Sequence, residues 1–576
     1  MKIIIGINTY HADSSACIIV NGKLIAAIEE ERINRKKHYS GYPIESIKEC
    51  LRIADKKDSE ITDIAFNTRP SSNLLPKGIF FLKNFSFKKV VLSESFKNKI
   101  NVKGLLLNKF TLNKNVKFHY IEHHLAHIAS AFYPSGFNDA VGLSIDGSGD
   151  FVTLAISECK NDRIKIIKKI NFPNSLGIFY HAMTQFLGFK NYGDEYKVMG
   201  LAAYGEPKYF DKIKDNLFIK NNKSIFELNL NYFNHHKNSF KYIAKDSLHI
   251  DEIFNSNLNK LFSSEFKSII NKDQFNKDFA SSVQKIYEYF FKKIIDKLSL
   301  KNFSKNLVFA GGCALNSSAN RFITNDNKLF EKVYIPCAPG DNGGALGAAF
   351  VVSSIFNNKT QNYKNPYLGT EFSNDEVIKI LKHDNYKNAV TYNFLENDVD
   401  LFKSASKLIA EGKIVGWFQG QMEFGPRALG NRSILADPRN PDMKNIINMK
   451  IKRRESFRPF APSILEKYQS DWFESKFINP YMSSVTTVKF DKQKIIPAVT
   501  HVDNTARIQT VSFDSNFRYA SLINEFYLLT NVPILLNTSF NENEPIVMKP
   551  EEALNCLIRT DLDAVFINNY LVKKIN

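Results

Sequence analysis

The segment Glu122-His123-His124-Leu125-Ala126-His127-Ile128 holds three of the chain's 12 histidines within five positions. His123 and His127 are four residues apart, so a helix places both imidazoles on one face. That spacing suits two ligands of one divalent metal. The plainer alternative is a helix whose histidines hydrogen-bond locally. Two histidines leave a metal site incomplete. Carboxylates at loop apices are the natural partners, and Asp146 and Asp341 both sit at glycine-flanked turns. A mixed His/Asp set with open positions suits Fe(II) or Mn(II) better than closed zinc coordination.

A second chemistry is suggested by Glu423-Phe424-Gly425-Pro426-Arg427-Ala428-Leu429-Gly430-Asn431-Arg432-Ser433, then Asp437-Pro438-Arg439, Lys452-Arg453-Arg454-Glu455 and Phe457-Arg458-Pro459-Phe460. Arginines set among Gly, Pro and Phe do not form a solvated charged face. Half-buried guanidinium groups need acceptors, and their planar fork fits phosphate and carboxylate oxygens. Glu423, Asp437 and Glu455 are too few to pair every cation there, so a phosphorylated ligand is the economical reading. His501-Val502-Asp503-Asn504-Thr505-Ala506-Arg507 and Leu536-Asn537-Thr538-Ser539-Phe540-Asn541 look like two further loops of that kind. Three glycine turns, at residues 146–150, 310–316 and 339–344, could also bring backbone N–H groups close to phosphate. No P-loop, no G-x-S-x-G elbow and no Cys/His nucleophile pair is present, so positioned electrostatics is expected rather than covalent catalysis.

The elements that must carry these groups are α/β. Residues 3–7, 16–20 and 24–28 read as strands, with a hairpin turn at Asn21-Gly22. Residues 140–145 and 151–156 repeat the pattern around a turn at 146–150, which suggests an internal duplication. Phe279, Val283, Ile286, Tyr287, Phe290, Ile294 and Leu298 recur at helical spacing. A strand at 306–309 then enters Gly311-Gly312. Residues 357–366 read as a linker, 401–408 as a helix and 414–418 as a strand, giving a second α/β module. The predicted domains are 1–356 and 367–576. The stretch 209–261 has no clean period and reads as an acceptor-specific insertion.

A chain of 576 residues needs at least two cores. Its charge of +18 invites a nucleic-acid reading, but the lysines form no dense block. Heavy use of Lys, Asn, Ile and Phe throughout fits a low-GC genome, and nucleic-acid binding is disfavoured. Six scattered cysteines point to a reducing cytoplasm. No apolar run reaches 18 residues, so no membrane association is expected.

The strings HADSSA, EEERINRKKH, HHLAH, DGSGD, GDEYKVMGLAAYG, AGGCALN, PGDNGGALGAA, FGPRALGNRSILADPR, KRRESFRPFAP, HVDNTAR and LNTSFN run almost the full length. Through them the chain resembles the O-carbamoyltransferases of nodulation factors, cephamycins and aminoglycosides. His11 and Asp13 are separated by Ala12 here, where relatives often place the two side by side. The resemblance implies a duplicated actin-like, sugar-kinase-like N-terminal domain and a C-terminal YrdC-like domain that forms carbamoyl-adenylate from carbamoyl phosphate and ATP, with Mg2+. The carbamoyl group then passes to a hydroxyl in the N-terminal domain, which holds Fe2+ or another divalent metal. It implies His123, His127, Asp146 and Asp341 as metal ligands. Arg427, Lys452, Arg458, Arg507 and Asn537 would cradle carbamoyl phosphate and nucleotide. Lys37, Gly311, Gly312, Asn316 and Gly343 would face the adenylate, and His11 would be the base or orienting group. The expected acceptor is a glycan, nucleotide sugar or natural product, and the enzyme could be a homodimer. A tRNA threonylcarbamoyladenosine-type enzyme shares both fold types and is the main alternative.

Overall fold

Alternating β-branched residues at the N-terminus form β1 (Ile3–Asn8), β2 (Ser15–Val20) and β3 (Lys23–Glu29). They join β4 (Asp63–Phe66) and β5 (Lys117–Tyr120) in a sheet of order β3-β2-β1-β4-β5. The computed structural model describes residues 1–84, 101–220, 224–237, 248, 250–268, 272–299, 303–325, 329–356 and 365–575. The chain divides into two compact units, Met1–Lys364 and Asn365–Asn576. Most of the expected linker, 357–364, lies outside the described residues, as do parts of the 209–261 stretch.

A second sheet of the first unit contains β6 (Asp139–Gly149), β7 (Val152–Lys160), β8 (Arg163–Asn171), β9 (Asn306–Ala310) and β10 (Lys332–Tyr334). Its order, β10-β9-β6-β7-β8, repeats the first sheet strand for strand. In each, three antiparallel strands are followed by two parallel additions.

The turn expected at 146–150 is displaced. Strand β6 continues through Gly149 with a register shift after Ile145, and Asp150 and Phe151, both at positive φ, reverse the chain. The bulge aims Asp146 toward the histidines instead of placing it at a loop apex. A Cβ on Gly149 would lie 2.0 Å from the His123 ring, so the strand must be bare there.

The periodic apolar residues from Phe279 to Leu298 are all buried along the helix Lys272–Ser299. Described parts of 209–261 form the helices Phe210–Leu217 and Ser256–Leu261, which bury Ile213, Leu217 and Leu258. The helix His123–Ser135 packs against Gly343–Ile355 at close range. A Cβ on Gly347 would sit 1.7 Å from the Ala126 carbonyl oxygen. Gly347→Ala should therefore force these helices apart at a cost of about 1–3 kcal/mol or more. Calorimetry should show a lowered Tm, and any metal affinity should fall with it.

The second unit is built on one eight-stranded mixed sheet. Its strands are β11 (Val390–Phe394), β12 (Val415–Phe418), β13 (Arg432–Ala436), β14 (Ala461–Leu465), β17 (Gln509–Val511), β18 (Ile534–Ser539), β19 (Ala564–Ile567) and β20 (Tyr570–Lys574). The pair β15 (Thr486–Thr487) and β16 (Thr505–Ala506) stands beside them in sequence. The helices Asp398–Ala410 and Phe517–Thr530 cover the sheet, with Trp417, Ile434 and Leu536 in its core. All six cysteines are free, and no described helix is long and apolar enough to cross a membrane.

Candidate metal centre and arginine cluster

His123 opens its helix. Glu122 caps that end by accepting from the Leu125 amide, and the Asp150 carboxylate accepts from the amides of His123 and Arg69 and from the Thr68 hydroxyl. His124 turns the other way. Its Nε2–H donates to the Val152 carbonyl and its Nδ1 accepts from the Ser144 hydroxyl, both at 2.9 Å. Burial and the neighbouring histidines push its pKa down to about 3, so it is neutral and ties the helix to β6 and β7.

With one ring locked, His123 and His127 converge on two carboxylates. His123 Nε2 lies 3.0 Å from Asp146 Oδ2 and 3.5 Å from Asp341 Oδ1. His127 Nε2 lies 3.5 and 3.4 Å from the same atoms, and 2.9 Å from His123 Nε2. The four side chains form a group whose ligand atoms all fall within 4.8 Å of one another. Bonds of about 2.1 Å to one cation would set neighbouring ligands roughly 3.0–3.4 Å apart, close to these spacings. Asp341 Oδ1 is buried and accepts no hydrogen bond from the described residues. The group therefore has the donor set and spacing of a cation site. Burial opposes charge on His127, but Asp146 and Asp341 outweigh it and hold its pKa up at about 9.

The outer carboxylate oxygens are oriented by backbone. The Gly312 amide donates to Asp146 Oδ1 at 3.0 Å, and the Ala12 amide donates to Asp341 Oδ2 at 3.2 Å. Gly311 abuts the Ile145 carbonyl, and Gly343 starts the helix Gly343–Ile355 against Ala338. Asn316 caps the helix Ser317–Thr324 and exchanges hydrogen bonds with Gln284. His11 is buried, its ring 4.6 Å from that of His123. Lys37 is exposed on the turn after the helix Glu30–Asn34. Next to it, His38 Nδ1 meets Asp13 Oδ1 at 2.8 Å. Neither this pair nor the His181–Glu195 pair, at 2.6 Å, was drawn from the sequence, although Glu195 lies inside the GDEYKVMGLAAYG string.

In the second unit the cations divide by environment. Arg432 is fully buried and donates to the carbonyls of Thr370, Gln419, Gly420 and Asn431, its guanidinium 3.6 Å above the Phe418 ring. Backbone carbonyls, rather than an anion, take up both of its terminal nitrogens. Arg432→Met would strand those carbonyls at a cost on the order of 4 kcal/mol. Denaturant unfolding followed by the fluorescence of buried Trp417 should show the midpoint falling. Arg439 pairs with Asp437, and Arg453 with Glu542. Lys452 is buried, its ammonium held by Ser539 and by two oxygens of Asn541 at 2.7 Å. Asn537 donates to Ala428, Ser463 and Gln509 from within β18. Arg458 reaches Glu455 at 3.4 Å.

Arg507 differs from these. It is half-buried, and among the described residues none accepts a hydrogen bond from it. Burial and the guanidinium groups of Arg427 and Arg454 hold its pKa well below the usual arginine value. The loop bearing Arg427 is shaped by Glu423, whose Oε1 accepts from the amides of Leu429, Asn431 and Arg432. The fields of two further guanidinium groups thus meet at Arg507, which has no acceptor among the described residues. An anion of two or more charges fits that field.

Residues 3–350 match the family model of the carbamoyltransferase N-terminus, and residues 406–574 that of the carbamoyltransferase C-terminus. An uncharacterised protein of Synechocystis, sll1178, is 37% identical over 100% of this chain and 97% of its own length. Nodulation protein NolNO of Sinorhizobium fredii is 34% identical over 98% of this chain and 80% of that protein. Nodulation protein NolO of Bradyrhizobium diazoefficiens is 36% identical over 79% of each.

Proposed function

Because this chain belongs to the carbamoyltransferase family and is a transferase enzyme, we propose that it is an ATP-dependent O-carbamoyltransferase. In this reading carbamoyl phosphate, ATP and water give carbamoyl-adenylate, phosphate and pyrophosphate in the second unit. The carbamoyl group then goes to a hydroxyl of a glycan, nucleotide sugar or natural product in the first, and AMP is released. The observation that carries the reading is Arg507, half-buried within the fields of Arg427 and Arg454 and with no acceptor among the described residues. Substrates with several phosphate charges supply the missing acceptors. Arg458, whose guanidinium lies 3.4 Å from Glu455, is the next group read as turning toward them. Lys452 and Asn537 act from behind, by fixing the 537–541 segment.

The repeated sheet order supports an actin-like duplication in the first unit, and the large mixed sheet of the second is read as the YrdC-like part. A divalent cation held by His123, His127, Asp146 and Asp341 would act as a Lewis acid toward a carbamoyl or phosphate oxygen. The chain's own contribution there is orientation. Gly312, Ala12 and Asp150 fix the carboxylates and the helix end, while His11 packs against His123.

The test is incubation with labelled carbamoyl phosphate, ATP and a panel of nucleotide sugars, read by pyrophosphate release and product mass. Pyrophosphate release dependent on carbamoyl phosphate, followed by a carbamate ester, is the expected result. Absence of that release, or modification of tRNA instead, overturns the reading.

A further inference from the structure

His181 and Glu195 form a pair that the metal centre does not use. His181 lies on the helix Leu176–Phe186, whose first turn is anchored at the metal centre. Ser175 caps that helix and donates to the carbonyls of Asp146 and Gly147 at 3.0 and 2.7 Å. A Cβ on Gly177 would come within 2.8 Å of the Gly147 nitrogen. His181 follows Gly177 by four residues, so it lies on the same helix face. Its Nδ1 meets Glu195 Oε1 at 2.6 Å, so the carboxylate accepts from Nδ1–H and Nε2 is the ring nitrogen turned away from it. The His181 side chain is only 6% exposed and Nε2 has no hydrogen-bond partner among the described residues, whereas Glu195 is 32% exposed. The ring lies 6.2 Å from that of half-buried Tyr192, whose hydroxyl stands within the fields of Asp341, Asp13, Glu195 and Asp146. A buried imidazole satisfied on one side only, on a helix anchored at the cation site, is poised to take a proton.

We infer that His181 is the proton acceptor for the acceptor hydroxyl, with Glu195 fixing its tautomer. The inference rests on the carbamoyl-transfer reading. The hydroxyl oxygen bonds to the carbamoyl carbon while its proton passes to His181 Nε2. The bond from that carbon to the adenylate oxygen breaks, and AMP leaves with the electron pair. His11, packed on His123, keeps an orienting role.

Two nucleophiles separate base catalysis from general damage. Glycerol is a weak nucleophile whose hydroxyl needs a base, whereas hydroxylamine is uncharged at neutral pH and attacks without one, giving hydroxyurea. With full-length protein, carbamoyl phosphate and ATP, His181→Gln should lower glycerol carbamoylation about 10²–10⁴-fold relative to hydroxyurea formation. Glu195→Gln should fall between the two. Imidazole added to His181→Gly should restore part of the glycerol reaction. Equal loss with both nucleophiles, or no loss with glycerol, overturns the base assignment while pyrophosphate release still stands. Wild-type protein yielding neither pyrophosphate nor hydroxyurea overturns the underlying transfer reading, and the base assignment with it.

Discussion

Arg507→Ala should abolish carbamoyl-phosphate-dependent pyrophosphate release while leaving the fold as stable as before, or more so. The two halves of that expectation come from one observation. In the structure Arg507 lies close to Arg427 and Arg454 and donates to no acceptor among the described residues, so its charge is opposed by like neighbours and by burial. Removing a repelled, partly desolvated cation relieves the folded state. A bound polyphosphate reverses the sign, because it needs those donors as charge grows on its oxygens. Loss of one such preorganised donor costs about 10²–10³ in rate. Arg507→Lys should recover little, since an ammonium cannot reproduce the planar fork. The measurement is pyrophosphate release beside a thermal melt of the same variant. A large drop in Tm with unchanged release would mean that Arg507 is structural, as Arg432 is.

The contrast between Arg507 and Arg432 marks the limit of sequence reading in the second unit. Both are arginines in segments short of acidic residues, and the sequence suggests an anion for each. Arg432 instead finds four carbonyls contributed by Thr370, Gln419, Gly420 and Asn431. Backbone acceptors carry no residue code, so nothing in the string separates the two cases. Lys452 is hidden in the same way, its partners being oxygens of Ser539 and Asn541 that depend on how β18 ends.

In the first unit the local patterns were legible because they are periodic. Strands β1 to β3, the 272–299 helix and the i, i+4 histidine pair follow from spacing alone. The bulge in β6 did not, because it depends on Asp146 being met by Gly312, in the turn after β9 and far away in sequence. The His181–Glu195 pair escaped for a related reason: two helices joined by a loop bring it together, and no spacing rule describes that loop.

His123→Ala should remove the response to metal without affecting the first half-reaction. In stripped wild-type protein, adding a divalent ion to about 100 times its Kd should stabilise the native state by about 2.7 kcal/mol. At roughly 2–4 °C per kcal/mol, that is a shift of several degrees. The variant should show no shift, because Asp146 and Asp341 with His127 alone lose one corner of the set and the 3.0 Å contact that orients Asp146. The absolute Tm of the metal-free variant is a poorer readout, since the lost ring also leaves a cavity beside Gly149. The difference between loaded and stripped protein cancels that term. Pyrophosphate release, assigned to the arginine cluster of the other unit, should persist while carbamate ester formation stops. Joint loss of both activities, with the melt unchanged, would place the metal in adenylate formation and overturn the division of labour between the two units.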